Sequence, residues 1–159
     1  MSGKSCFFIG HREASEETYP ALYAAVEDHI VRYGVTEFIV GRYGGFDRLA
    51  AKAVREAKGY YSGIELALLL PYHPAERTIP KPNGFDSIFY PPGMEIVPRR
   101  LAIVRVNRYI VDHVDYLIAY VWHPASSARD LVEYAQRREK KGLITVSMLN
   151  SMLNSMLNT

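Results

Sequence analysis

Short apolar runs and longer stretches of helical periodicity alternate along this chain. Ser5–Ile9 is an apolar run bounded by Gly10, the pattern of a strand buried on both faces of a parallel sheet. Ser15 then offers an N-cap, and Glu16 and Glu17 suit a first helical turn. Leu22, Val26, His29, Ile30 and Tyr33 recur at helical spacing until Gly34, which is placed to stop the helix. Glu37–Val40 predicts a second strand, followed by a glycine turn and a helix from about Phe46 to Lys58. Ile64–Leu70 reads as a third buried strand, stopped by Pro71. Positions 72–98 break the pattern. Six prolines (Pro74, Pro80, Pro82, Pro91, Pro92, Pro98) with Gly84 and Gly93 predict an irregular connection. Its aromatics Tyr72, Phe85, Phe89 and Tyr90 suit packing onto the body or part of a lid. Arg99–Val114 is helical, with a buried stripe of Leu101, Val104, Tyr109 and His113, or alternatively of Ala102, Val106, Tyr109 and His113. Asp115–Trp122 is the clearest strand, His123–Ser127 turns the chain, and a helix spans about Ala128–Lys141. Gly142 ends it before a last short strand, Leu143–Val146.

Strand and helix thus alternate about five times. That predicts an α/β protein with one Rossmann-like, doubly wound, mainly parallel sheet of about five strands and helices on both faces. The domain is expected to span 1–146, with a low-complexity tail at 147–159 in which Ser-Met-Leu-Asn occurs three times in succession. On a helix each unit would advance by about 40°, winding a Met and Leu stripe that suits another subunit. Tandem expansion giving a frayed terminus accounts for it equally well, and no function follows from it.

Composition narrows the class without choosing a function. At 159 residues, 48% hydrophobic and 23% charged, the chain suits one globular domain burying about two-thirds of its unfolded surface. Its 19 basic and 17 acidic residues leave a net charge of +2, too even to argue for nucleic acid or an anionic membrane. The single cysteine, Cys6, excludes an intrachain disulfide and reads as a small buried apolar residue of a reducing compartment. No apolar run approaches the roughly 20 residues needed to cross a bilayer, and Cys6–Ile9 is too short for a signal-peptide core. A cytoplasmic location is expected.

Candidate chemistry gathers where three predicted strands end. In doubly wound sheets, ligands sit outside the carboxyl ends of strands at the point where strand order reverses. Gly10-His11-Arg12, Gly41–Asp47 and His123–Arg129 all occupy such ends. Gly41, Gly44 and Gly45 let the backbone turn sharply and bring its N–H groups close to a ligand at a helix N-terminus, which favours anions. Arg42 and Arg48 add fixed positive charge suited to gripping a phosphate or carboxylate. Gly-x-Gly-x-x-Gly is absent, so this is not the dinucleotide fingerprint. The plain alternative is a tight strand-to-helix connection with no ligand. Arg12 is the foremost ligand candidate, or else an ion-pair partner of Glu13 or Glu16. His11 suits either a ligand contact or a cap on the first strand. Asp47 would repel a phosphate, so it suits ribose hydroxyls or ties to the loop's own amides. Asn107 and Arg108 are expected on a helix facing the site, with an Arg108–Asp112 pair as the alternative. Ser126, Ser127 and Arg129 open the last helix and suit an anion, or Ser126 is simply its N-cap. The five histidines are dispersed with no i, i+4 pair, so no metal is expected, and no cofactor either. Neither Gly-x-Ser-x-Gly nor a readable Ser-His-Asp order is present.

Four of these elements together resemble the SLOG superfamily of Rossmann-like proteins. That group includes the LOG phosphoribohydrolases and the DprA proteins, and the likeness is nearest to its bacterial YpsA-like branch. Phe8-Ile9-Gly10-His11-Arg12 is similar to that branch's opening Gly-His-Arg, and Gly41–Ala51 to its glycine turn with an aspartate. Asn107–His113 with Asp115–Tyr120, and then Ser126–Ala135, are similar to its later elements, in the same order from Cys6 to Val146. The superfamily's enzymes carry Pro-Gly-Gly-x-Gly-Thr-x-x-Glu, where this chain has Pro124-Ala125-Ser126-Ser127-Ala128-Arg129-Asp130-Leu131, one residue shorter between the proline and the Gly-Thr position. Ser127-Ala128 replaces Gly-Thr, Leu131 falls at the glutamate, and Glu133 lies two residues on. The resemblance therefore implies a binder of a nucleotide or nucleotide-derived small molecule, as a sensor or regulator, more strongly than a catalyst. Its alternative is hydrolysis of the N-glycosidic bond of a nucleoside monophosphate, with Glu13, Asp47 or Glu133 as acid or base. An assembly protein with vestigial glycine turns is a third reading. The resemblance also implies self-association, with a two-fold dimer the commonest form. DNA binding in the manner of DprA finds no support in a charge of +2.

Overall fold

Continuous apolar runs give strands buried from both sides only if helices cover both faces of the sheet, and this is the architecture adopted. A computed structural model describes residues 3–42, 44–71 and 81–149. Strands β1 (Lys4–Gly10), β2 (Val35–Val40), β3 (Glu65–Leu69), β4 (Ser87–Phe89), β5 (Tyr116–Tyr120) and β6 (Thr145–Met148) form one sheet, ordered β4-β3-β2-β1-β5-β6. Every neighbouring pair is parallel. Four helices accompany them: α1 (Tyr19–Val31), α2 (Gly45–Lys58), α3 (Arg99–His113) and α4 (Ser127–Lys140). Alternate residues of each strand feed two separate cores. Cys6, Phe8, Phe38, Val40, Leu66 and Leu68 pack with α1 and α2. Phe7, Ile9, Ile39, Ala67 and Leu69 pack with α3 and α4. This is a doubly wound, Rossmann-like α/β fold. The chain steps outward from β1 to β4, returns through α3, and resumes at β5 on the other side of β1. The reversal point therefore lies between β1 and β5.

Six strands stand where about five were expected, because β4 is only three residues long and sits in the proline-rich stretch read as irregular. Asp86 holds it in place. Its amide donates to the Leu66 carbonyl at 2.8 Å, and its carboxylate accepts from the Leu66 amide and from Lys58 Nζ. Lys58 and that amide keep the Asp86 carboxyl below its ordinary range. Phe85 and Tyr90 pack partly buried against the α1 and α2 core, and Phe89 stacks on Tyr109 of α3 at 6.2 Å. Tyr72, Pro74 and Pro80 lie outside the described residues.

Other boundaries also shift. Ser15 Oγ accepts from the Glu17 amide at 3.2 Å and opens a 3-10 turn, Glu16–Thr18, before α1 begins. Gly34, at φ 72°, ends that region in the left-handed conformation, its amide donating to Ile30. On α3 the buried stripe is Ala102, Val106, Ile110 and Val111, while Leu101, Val104 and His113 are exposed. The last strand runs to Met148 instead of Val146, and Leu149 is fully buried. Ser147, Met148 and Leu149 of the first Ser-Met-Leu-Asn unit thus belong to the sheet edge and core, and the boundary expected after Val146 falls inside β6. Positions 150–159 lie outside the described residues. His29 ties this edge to α1. Its Nδ1 lies 2.7 Å from the Ala25 carbonyl, to which only Nδ1–H can donate, and its Nε2 lies 3.3 Å from Ser147 Oγ. Burial pushes its pKa down. No described helix is long and apolar enough to cross a membrane.

Candidate functional site

The carboxyl ends of β1 and β2, the starts of α2 and α4 and the middle of α3 enclose a cleft of about 460 Å³. That volume is within the range of small-molecule sites. Of the residues expected from sequence, Gly10, His11, Arg12, Gly41, Gly44, Asp47, Asn107, Arg108, Ser126 and Ser127 line it, while Arg42, Gly45 and Arg129 do not. Glu13, Asp130, Ile103, Val104, Ala128 and Leu131 complete much of the wall. Tyr43, inside the glycine turn, lies outside the described residues.

The glycine turn is built for chain-to-chain contact. The Gly45 amide donates to the Arg12 carbonyl at 2.8 Å and the Phe46 amide to the His11 carbonyl at 3.3 Å. Two of the donors that a helix start leaves unsatisfied are thereby taken by the loop after β1. A methyl group on Gly44 would sit 2.7 Å from Arg12 Cα, and one on Gly45 would sit 2.6 Å from the Arg12 carbonyl oxygen. One on Gly10 would overlap the Phe46 ring, which is fully buried and stacks on Tyr120 at 6.0 Å. These glycines let β1's loop and α2 touch backbone to backbone. The sequence reading of the turn as a row of amides offered to a ligand is therefore corrected at Gly45 and Phe46.

His11 connects this junction to the start of α4. Its Nε2 accepts hydrogen bonds from the amides of Trp122 (2.9 Å) and His123 (3.1 Å), which fixes a neutral ring with the proton on Nδ1. Burial first, then His123, lowers its pKa, and Arg129 adds to the effect. His11 thus caps the loop after β5. α4 then opens on Ser126, whose Oγ accepts from the Arg129 amide at 3.1 Å, the N-cap alternative raised from sequence. The amides of Ser127 and Ala128, the next two positions, have no hydrogen-bond partner among the described residues. Arg129 Nε is buried without a partner in the same turn.

The cations are distributed around this opening. Arg12 is exposed at the cleft and makes no described ion pair with Glu16, which pairs with Arg48 at 3.2 Å. Arg108 lies 4.6 Å over the Tyr134 ring, while Asp112 accepts from Tyr134 Oη at 2.6 Å and pairs with Arg138 at 3.2 Å. The expected Arg108–Asp112 alternative is thus replaced by an α3–α4 clamp that leaves Arg108 at the cleft. Leu131 lines the cleft, and Glu133 lies on the exposed side of α4 with Arg137 and Lys140. Ile103, Val104 and Asp130 are lining residues that sequence reasoning missed. The two apolar ones were indistinguishable there from core positions. Among the described residues, no group of three or more His, Cys, Asp or Glu side chains is placed to hold a metal. No protein-family model and no curated protein matches the chain.

Proposed function

We propose that this cleft binds a nucleotide or nucleotide-derived small molecule and that the protein acts as a sensor or regulator. The observation that carries this reading is the start of α4. Ser127 and Ala128, whose amides have no partner among the described residues, line a cleft of about 460 Å³ that Arg12 and Arg108 also line, at the point where strand order reverses. An anionic group seated there would meet the positive end of the helix and two guanidiniums. The resemblance to the YpsA-like branch of the SLOG superfamily points the same way. Leu131, apolar at the enzymes' glutamate position, favours binding over catalysis.

A second reading, N-glycosidic hydrolysis, keeps one specific support, since Glu13 and Asp47 both line the cleft. Release of free base from a nucleoside monophosphate panel would favour it. Intact ligands favour the sensor. A two-fold dimer accompanies either reading and is read by sedimentation.

The test is a thermal-shift screen of nucleotides, nucleoside monophosphates, dinucleotides and sugar phosphates on wild type and Arg12→Ala. A ligand at 100 times its dissociation constant adds about 2.7 kcal/mol of stability. A shift in wild type that Arg12→Ala reduces supports the site. No shift with any compound sinks the reading.

A further inference from the structure

On the assumption that the cleft takes such a ligand, α3 says which part of it lies where. Its positions 103, 104, 107 and 108 share one helix face, being three and four residues apart, and all four line the cleft. The two nearer the start of the helix are β-branched and apolar, and the two one turn later are an amide and a guanidinium. Ile103 is 37% exposed and Val104 51%, although the opposite stripe of Ala102, Val106 and Ile110 is closed into the core. The helix therefore has its own buried face, and this second apolar pair, part of neither core cluster, lines the cleft and stays partly open. Apolar side chains left open on the wall of a concave site are unpaired area that an apolar ligand face can cover.

We infer that Ile103 and Val104 are the specificity-determining pair of this site, seating the flat apolar face of a nucleobase, while Asn107, Arg108 and the start of α4 face the polar and anionic part. Neither side chain has a hydrogen-bonding group, so this wall reads area and not base-edge pattern. It separates nucleotides from base-free sugar phosphates, and it does so about equally for every base. The ligand class is a nucleoside monophosphate in preference to a pentose phosphate.

The test measures dissociation constants of AMP, GMP, CMP and ribose 5-phosphate by calorimetry for wild type, Ile103→Asn and the near-isosteric Val104→Thr, each with its melting temperature and sedimentation coefficient. Wild type is expected to bind AMP at least about tenfold more tightly than ribose 5-phosphate. Ile103→Asn is expected to weaken all three nucleotides by about tenfold (about 1.4 kcal/mol) and Val104→Thr by less, with ribose 5-phosphate unchanged. Equal affinity of wild type for AMP and ribose 5-phosphate overturns the inference and leaves nucleotide binding intact. So does an equal loss of all four ligands in the variants, or a loss confined to one base. A changed sedimentation coefficient with unchanged affinities overturns it in favour of a protein contact. Absence of binding by wild type overturns the underlying function together with it.

Discussion

At the start of α2 the amides of Gly45 and Phe46 donate to the carbonyls of Arg12 and His11. At the start of α4 the amides of Ser127 and Ala128, two residues that line the cleft, have no partner among the described residues, while the Arg129 amide donates to Ser126 Oγ and the Asp130 amide to the Ser126 carbonyl. Both helices begin at the rim of the same cleft, and both would favour an anion by their dipoles alone. What separates them is local chain path. At α2 the preceding loop runs close enough to close off the donors, and glycine is what permits that approach. At α4 a serine caps one donor from within the turn, and the two before it have no partner among the described residues. A glycine-rich turn therefore need not be the ligand-binding part of a site, and a turn that looks plain in sequence can be the open one.

The contrast can be broken at α2 first. Phe46→Ala removes a fully buried ring between Gly10 and Tyr120 and is expected to cost about 3–5 kcal/mol, read as a large loss of melting temperature with any residual ligand affinity retained at low temperature. Gly45→Ala sets a methyl group 2.6 Å from a carbonyl oxygen that cannot move without losing its hydrogen bond, so about 1–3 kcal/mol of stability is expected to go in urea unfolding. Should Gly45→Ala instead fold normally and lose only ligand, α2 would be the binding end and the contrast would be reversed.

At α4 the informative change is Ser127→Pro. Proline is tolerated at the first helical position, and Ser126 at φ −134° and ψ 157° suits a following proline. Stability is expected to stay within about 0.5 kcal/mol, while nucleotide affinity falls about tenfold with the loss of one amide donor. Unchanged affinity would remove α4 from the site.

The smallest effect concerns His11, which joins the two helix starts. Its folded pKa lies below the unfolded value of about 6.5, as does that of His29. Both are neutral in either state above that value, so stability is flat there. As pH falls below about 6.5 the unfolded chain takes up protons first, and stability declines until the folded pKa is reached. Each histidine can contribute at most about 1.4 kcal/mol per pH unit to that decline. Melting measured from pH 7 to 5 should show the slope, and His11→Gln should lessen it. A flat profile would remove the neutral ring from the account of this junction.

Much of the architecture was legible because buried parallel strands must be continuous apolar runs, as in Phe7–Ile9 and Leu117–Ala119. β4 was not legible, since three residues among prolines carry no periodicity and its place depends on Asp86 meeting β3. The cleft was legible as a location, because Gly10–Arg12, Gly41–Asp47 and Ser126–Ser127 each follow a strand. Its division of labour was not. Whether an amide at Gly45 faces a ligand or a carbonyl depends on a loop that is more than thirty positions away in sequence. The α3 stripe was ambiguous for a related reason: Leu101, Ile103 and Val104 are as apolar as core residues, and only the packing shows which side is closed.

The edge strand has one more consequence. Val146 is followed in β6 by the first of three identical four-residue units, which supplies Ser147 to His29 and Leu149 to the core. Loss or duplication of a whole unit in the coding sequence would restore the same residues after Val146 each time, as long as one copy survives. Replication slippage at this end changes the length of the polypeptide without altering Ser147, Met148 and Leu149, the residues of the repeat that the sheet edge and core are shown to use.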